Sequence, residues 1–370
     1  MKRISVFMYA LLAVMMLNAA PKSGHYEQLD GNSAAGLCDA IGKAASQGYR
    51  SLGYSGLWTA FKTTDVRPDG MIWDMYSDCS FRPGTNQCGV GGNYSKECDC
   101  YNREHSVPKS WWGGSERNQG CDIFILVPTD GYVNNRRSNY PFGEVGTPTY
   151  TYDGAKLGKS NFSGYSGTVF EPNDEYKGDF ARGIMGAMLK WRGDWTQKEG
   201  NSTFTGKYTS AGNYGFTAYG MALLMKWHRE DPVSQKELDR NDGIEKTQGN
   251  RNPFIDYPCL AEYLWGNKKD QKLDLSKIMS AYDPKYFDSD QSGCSCTTTD
   301  IEQLPAEPVY LVQVSGNNLS IVAQQTVNMA VYDVMGRMLT YQTTDRLDIA
   351  LPTGIYLLQI DGTTQRIMIP

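Results

Sequence analysis

Five of the nine cysteines of this chain, Cys79, Cys88, Cys98, Cys100 and Cys121, crowd into one polar, Gly-rich stretch and its immediate sequel. In an exported protein such crowding means disulfides, so residues 77–100 are expected to form a stapled loop and not a regular element. Export is expected from residues 1–20. Lys2 and Arg3 give a short basic start, residues 4–17 are apolar, and Ala19-Ala20 offers a small-residue exit, the pattern of a signal peptide. The apolar run is shorter than the ~20 residues needed to cross a bilayer, and no stable membrane span is expected. The remaining cysteines are Cys38, Cys259, Cys294 and Cys296; nine is odd, so at least one stays outside the intrachain pairs. A zinc cluster of Cys88, Cys98, Cys100 and Cys121 is the competing reading, with spacing poor for tetrahedral zinc. Connectivity does not follow from the sequence.

The stapled loop runs into residues 101–139, YNREHSVPKSWWGG, a spacer, then CDIFILVPTDGYVNNRRSN. The chain holds three histidines, His25, His105 and His228. His25 lies near the start and is expected in a mobile end. His228 closes a helix-like run, where a basic residue complements the carbonyl end. His105 is framed by an acid, a Pro turn and aromatics, and imidazole is the side chain best suited to proton abstraction near neutral pH. Glu104 and the carbonyl of Asn134 are hard oxygen donors, suited to Mg²⁺ or Ca²⁺. In an extended strand Glu104 and His105 point to opposite faces, so a bend at Pro108, Gly113 and Gly114 is expected to bring them to one site. Residues 123–127 read as a strand.

These residues resemble the endonuclease I family of secreted and periplasmic nucleases, whose site is a ββα-metal (His-Me) finger. The likeness extends to IWDMYS at residues 72–77, VFEPNDEYKGDFAR at 169–182, WHREDPVS at 227–234 and RNDGIEKTQGNRNPFIDYPCLAEYLW at 240–265, and covers about residues 25–290. The resemblance implies His105 as the general base and Glu104 and Asn134 as ligands of one divalent metal, Mg²⁺ with Ca²⁺ or Mn²⁺ as alternatives. It further implies DNA, and RNA as a second substrate, cut with little sequence preference to 5′-phosphate ends. Arg136 and Arg137 are expected at the reacting phosphate, with Arg103, Lys109 and Arg251 as substrate contacts; Asp179 and Arg182 are expected to flank the finger. One departure is visible: relatives often carry a His shortly after the Asp of the second strand, whereas Asp122 is followed by Ile123, Phe124 and Ile125.

The formal net charge of −5 argues against a dedicated high-affinity DNA-binding protein, which is usually basic, but not against a nuclease with local charge at its cleft. Helices are expected at residues 34–47, 177–191, 217–229 and 234–248, the last with Ser234 and Glu237 in capping-box spacing. Residues 54–61 are aromatic-rich and expected to pack on the core, and 140–167 to form loops and short strands. Residues 291–308 read as a Ser/Thr/Pro linker. Beyond it, strands are expected at 319–323, 329–332, 347–350, 355–360 and 366–369, a small β-sandwich. Its VYDVMGRML and LPTGIYLLQI runs resemble the C-terminal sorting domain of type IX secretion cargo, which implies the secretion machinery as a partner. The expectation is therefore an α+β catalytic domain over 21–290, largely helical around a ββα-metal finger, followed by the linker and an all-β domain over 309–370. A degenerate nucleic-acid-binding protein and a surface adhesin are the rival readings.

Overall fold

The computed structural model describes residues 20–89, 92–112, 118–192, 203–205, 214–294, 310–334, 336–360 and 363–370. The expected signal peptide and most of the expected linker lie outside them. The chain divides at Thr297/Thr298 into two compact units.

The first unit is mixed α+β. It opens with α1 (Ala34–Ser46) and α2 (Gly53–Thr64), then carries a two-stranded antiparallel pair, β1 (Tyr101–His105) and β2 (Leu126–Asp130), followed directly by α3 (Gly131–Arg137). In register, Tyr101 faces Asp130, Glu104 faces Val127 and His105 faces Leu126. A second antiparallel sheet, β3 (Val145–Tyr152), β4 (Ala155–Ser160) and β5 (Thr168–Glu171), follows in the segment expected to hold loops and short strands. Then come α4 (Lys177–Lys190), α5 (Ala218–Glu230), α6 (Gln235–Gln248), α7 (Pro253–Asp256) and α8 (Leu260–Trp265).

Helix α4 organises the core. The sequence marks one apolar face, Phe180, Ile184, Ala187 and Met188, yet Lys177–Leu189 is buried almost all round, because α1, α5 and α7 enclose it. Gly183 permits one of these approaches: a Cβ there would sit 2.5 Å from the carbonyl oxygen of Phe124, in the turn that feeds β2. Asp122 pins the same turn from below. It accepts from Phe124 N at 3.2 Å, Lys190 Nζ at 2.8 Å and Trp191 Nε1 at 2.7 Å. Residues 123–127 are therefore not one strand. Ile123–Ile125 is a 3-10 turn capped by Asp122, and the strand begins at Leu126. Helix α6 starts as its capping box dictates, with the Ser234 side chain accepting from Glu237 N and Glu237 returning the bond; such a cap contributes about 1 kcal/mol.

Among the described residues three disulfides are present, Cys79–Cys98, Cys88–Cys100 and Cys259–Cys294. The first two staple the loop ahead of β1 and replace the zinc-cluster reading. Cys121 is buried and takes part in neither. The third holds residues that composition assigns to the linker: Cys294 is bridged to Cys259, and Met279 N donates to Gly293 O at 2.8 Å. The first unit thus extends past residue 290.

The second unit is all-β, with its own core of Leu319, Ile321, Met329, Val331, Leu347, Leu358 and Ile360. It comprises β6 (Tyr310–Ser315), β7 (Asn318–Asp333), β8 (Met338–Ala350), β9 (Gly354–Ile360) and β10 (Thr363–Ile369). The expected sandwich is one connected five-stranded antiparallel sheet. The long β7 pairs β6 with its first half and β9 with its second, and a register shift between Val322 and Val327 separates the halves.

Candidate functional site

Strand β1 sends alternate side chains to two faces. Asn102 and Glu104 share one face and meet α3, where Asn134 and Arg137 lie one turn apart. Asn134 Nδ2 donates to Asn102 Oδ1 at 2.6 Å, and Arg137 Nη1 donates to Glu104 Oε1 at 2.6 Å. Tyr76, from the IWDMYS segment, donates its hydroxyl to the same Oε1 at 2.7 Å. Glu104 is 3% exposed; burial raises its pKa, and Arg137 and Tyr76 oppose that rise. Arg137 is 1% exposed and also donates to the carbonyls of His105 at 2.8 Å and Ser106 at 2.6 Å.

His105 leaves the other face of β1 and is 7% exposed. Its Nε2 lies 3.0 Å from the Gly120 carbonyl oxygen. A carbonyl only accepts, so Nε2 carries the proton and Nδ1 is the basic nitrogen. Of the residues expected to bend the chain, Gly113 and Gly114 lie outside the described residues, and Pro108 follows β1 directly after Ser106 and Val107. Both residues belong to β1, and Glu104 and His105 face opposite ways around the strand end.

Helix α3 is held at its start by Asp130, whose Oδ1 accepts from Tyr132 N at 2.7 Å and Val133 N at 3.0 Å. Its Oδ2 accepts from Cys98 N at 2.5 Å, so the stapled loop buttresses the helix cap. Asp74 accepts from Asp130 N at 3.1 Å, Tyr76 N at 3.0 Å and Ser77 Oγ at 2.6 Å; its burial pushes its pKa up to about 7.

The donor set suits a hard cation. With its nitrogen on Asn102, Asn134 has a carbonyl oxygen to offer, and with both donors on Oε1, Glu104 has lone pairs on Oε2. Among the described residues, the group of Cys, Asp, Glu or His side chains at mutual metal-ligating distance is Cys79, Cys98 and Asp130. Its sulfurs already form a disulfide, so it is no thiolate site.

Several expected contacts fall elsewhere. Arg251 is 0% exposed and bonds Asp242 at 2.9 Å, Glu245 at 2.7 Å and Asp256 at 2.8 Å, which makes it a core ion-pair residue and not a substrate contact. Arg137 is likewise sealed; it positions Glu104 and does not reach a phosphate. Arg182 is fully buried against Glu237, and Asp179 pairs with Lys236. His228 is buried between Arg182 and Arg229, and burial drives its pKa down to about 3, so it remains neutral. His25 is not in a loose end: its ring packs edge-on against Tyr26, whose hydroxyl bonds Asp256. Arg136 is exposed, over the rings of Tyr132 and Tyr150. Lys109 is half-buried, 5.4 Å above the Tyr54 ring, and Arg103 bonds the Tyr54 carbonyl at 2.6 Å. Reading the sequence missed Tyr76, Asn102 and Gly120. Tyr76 carried a signal, since IWDMYS was singled out without a role; the other two carried none.

The family model for endonuclease I matches residues 36–259, which include Glu104, His105 and Asn134. An extracellular ribonuclease of Bacillus amyloliquefaciens is 32% identical over 261 residues, 67% of this chain and 80% of the relative. That of Bacillus subtilis (strain 168) is 33% identical over 249 residues, 65% of this chain and 78% of the relative. An extracellular deoxyribonuclease of Aeromonas hydrophila is 25% identical over 204 residues, 50% of this chain and 77% of the relative. A family match over more than half of the chain, which takes in the strand pair and helix just described, means that the chain belongs to the endonuclease I family and is a nuclease.

Proposed function

We propose that the chain is a secreted, metal-dependent endonuclease that hydrolyses phosphodiester bonds of nucleic acid at a ββα-metal (His-Me) finger formed by β1, β2 and α3. The observation that carries this is the pairing of an oriented imidazole with a hard-oxygen pocket on the two faces of one strand end. His105, held through Nε2, takes a proton from water at Nδ1, and the resulting hydroxide attacks phosphorus. Glu104 and Asn134 would hold a divalent cation, which would supply Lewis-acid stabilisation of developing negative charge. Arg137 neutralises Glu104, so the pocket adds no net negative charge against a phosphate, and exposed Arg136 is placed to meet the polyanion.

Export is supported by the N-terminal pattern and by relatives named as extracellular enzymes. The all-β second unit is proposed as the sorting domain. Both DNA and RNA are proposed as substrates, since the relatives at 32% and 33% identity are ribonucleases and others are deoxyribonucleases. The test is purified residues 21–297 on plasmid DNA and on RNA, with Mg²⁺ or with EDTA. Cleavage that needs the metal and yields 5′-phosphate ends is expected; cleavage undiminished by EDTA would overturn the metal reading.

A further inference from the structure

We propose that Tyr54 is a positioning residue for His105, a ring wedged between Arg103 and His105 that fixes the plane of the imidazole. The proposal rests on His105 being the base. It begins with strand geometry. Arg103 and His105 leave the same face of β1 two residues apart, a gap of about 6.5–7 Å along the strand. Tyr54, from the first turn of α2, lies against both groups. The Arg103 guanidinium lies 3.6 Å above the Tyr54 ring centre. The His105 ring is stacked on Tyr54 with centres 5.7 Å apart and planes 17° from parallel. Trp58, one turn further along α2, backs the guanidinium at 4.5 Å. Arg103 Nη1 also bonds the Tyr54 carbonyl, so the wedge is tied to β1 by backbone as well as by ring contact.

His105 needs such a device. It is the last residue of β1, and the side-chain torsion that sets its ring plane has only a broad preference. The bond from Nε2 to Gly120 O fixes where one nitrogen points, but does not by itself stop the ring from swinging about that N–H···O line. Such a swing moves Nδ1, the atom that must meet the water. Stacking on Tyr54 removes this freedom, and Trp112, 5.9 Å away with its plane tilted by 59°, closes another side. The positioning element is thus the ring of Tyr54 and not its hydroxyl.

The test uses the full chain with histidine labelled at Cε1. Three histidines give a short spectrum, and His105→Gln assigns the signal of interest. An upfield, ring-current-shifted His105 signal is expected in the parent and in Tyr54→Phe, and its loss in Tyr54→Leu. In the same proteins kcat is expected to fall on the order of 10–100-fold in Tyr54→Leu with KM unchanged, and to be kept in Tyr54→Phe. Arg103→Met, which removes the guanidinium on the Tyr54 ring and its bond to the Tyr54 carbonyl while keeping the ring itself, is expected to shift both readouts the same way by less. An unchanged kcat in folded Tyr54→Leu, or equal losses in Tyr54→Phe and Tyr54→Leu, would overturn the proposal. Full activity in His105→Gln would instead overturn the base assignment beneath it, while leaving the stacking result intact.

Discussion

Glu104 arrives at the site already paired, and that pairing sets the behaviour of single residues there. Replacing Arg137 by Met leaves a buried carboxylate without its cation. A loss of about 3–5 kcal/mol is expected in metal-free protein, with part of it recovered on adding Mg²⁺, as urea unfolding with and without the ion would show. His105→Ala should keep the fold and lose about 10²–10⁴ in rate; near-parental plasmid digestion by the folded variant would remove His105 from the mechanism. Asp74 gives a prediction about pH. Its folded-state pKa, about 7, lies above the ordinary carboxylate value because the group is buried, so the folded chain binds the extra proton. That contribution is present in full below pH ~4 and lost as pH rises toward 7. Asp74→Asn should therefore gain stability relative to the parent between pH 4 and 7, at no more than ~1.4 kcal/mol per pH unit, and denaturant midpoints at three pH values check it. At this scale the sequence reveals chemistry and hides company. Glu104, His105 and Asn134 stand out by type, whereas the donor to Glu104 lies at Tyr76 and the acceptor for His105 is a backbone atom of Gly120, and neither is marked by spacing.

Among the elements, those with strong local signals sit where the pattern puts them. Helix α6 begins at its capping box, and α4 and α5 follow their apolar spacing within a residue or two. Helix α2 escaped notice because Gly53, Gly56 and a run of aromatic and β-branched residues are weak helix formers; burial of Leu57 and Phe61 overrides that weakness. Residues 123–127 misled because a short apolar run does not distinguish a strand from a tight turn, and a contact from Lys190 far along the chain decides it. The stapled loop yields a prediction of its own. Cys88→Ser with Cys100→Ser should cost about 2–4 kcal/mol and lower activity, since the loop carrying Cys98 N supports the Asp130 cap of α3. Disulfide mapping should recover Cys79–Cys98, Cys88–Cys100 and Cys259–Cys294; free thiols at Cys88 and Cys100 in the mature protein would defeat it.

For the whole molecule, two separate cores predict two separable functions. Removing residues 301–370 should leave cleavage intact in purified protein and abolish release from the native cell. If the shortened protein folds but cannot cut, the second unit contributes to substrate handling; if release persists, the sorting assignment fails. The position of the cut matters. A chain ending at residue 290 loses the Cys259–Cys294 bridge and should be less stable than one ending at 297 by about 3–4 kcal/mol in thermal or urea unfolding. The two-unit division was legible from composition, because a Ser/Thr/Pro stretch packs no core, but its edge was not, because a single cysteine at Cys294 carries the chain back to the first unit. The bridges around the loop before β1 also bear on how a cell makes such an enzyme without harm. Cytoplasmic thiol buffers keep cysteines reduced, so a newly made chain lacks the two cross-links that brace the helix bearing Asn134. Cleavage is therefore expected to be weaker in the reduced protein than in the oxidised one, and a plasmid assay with and without dithiothreitol checks it.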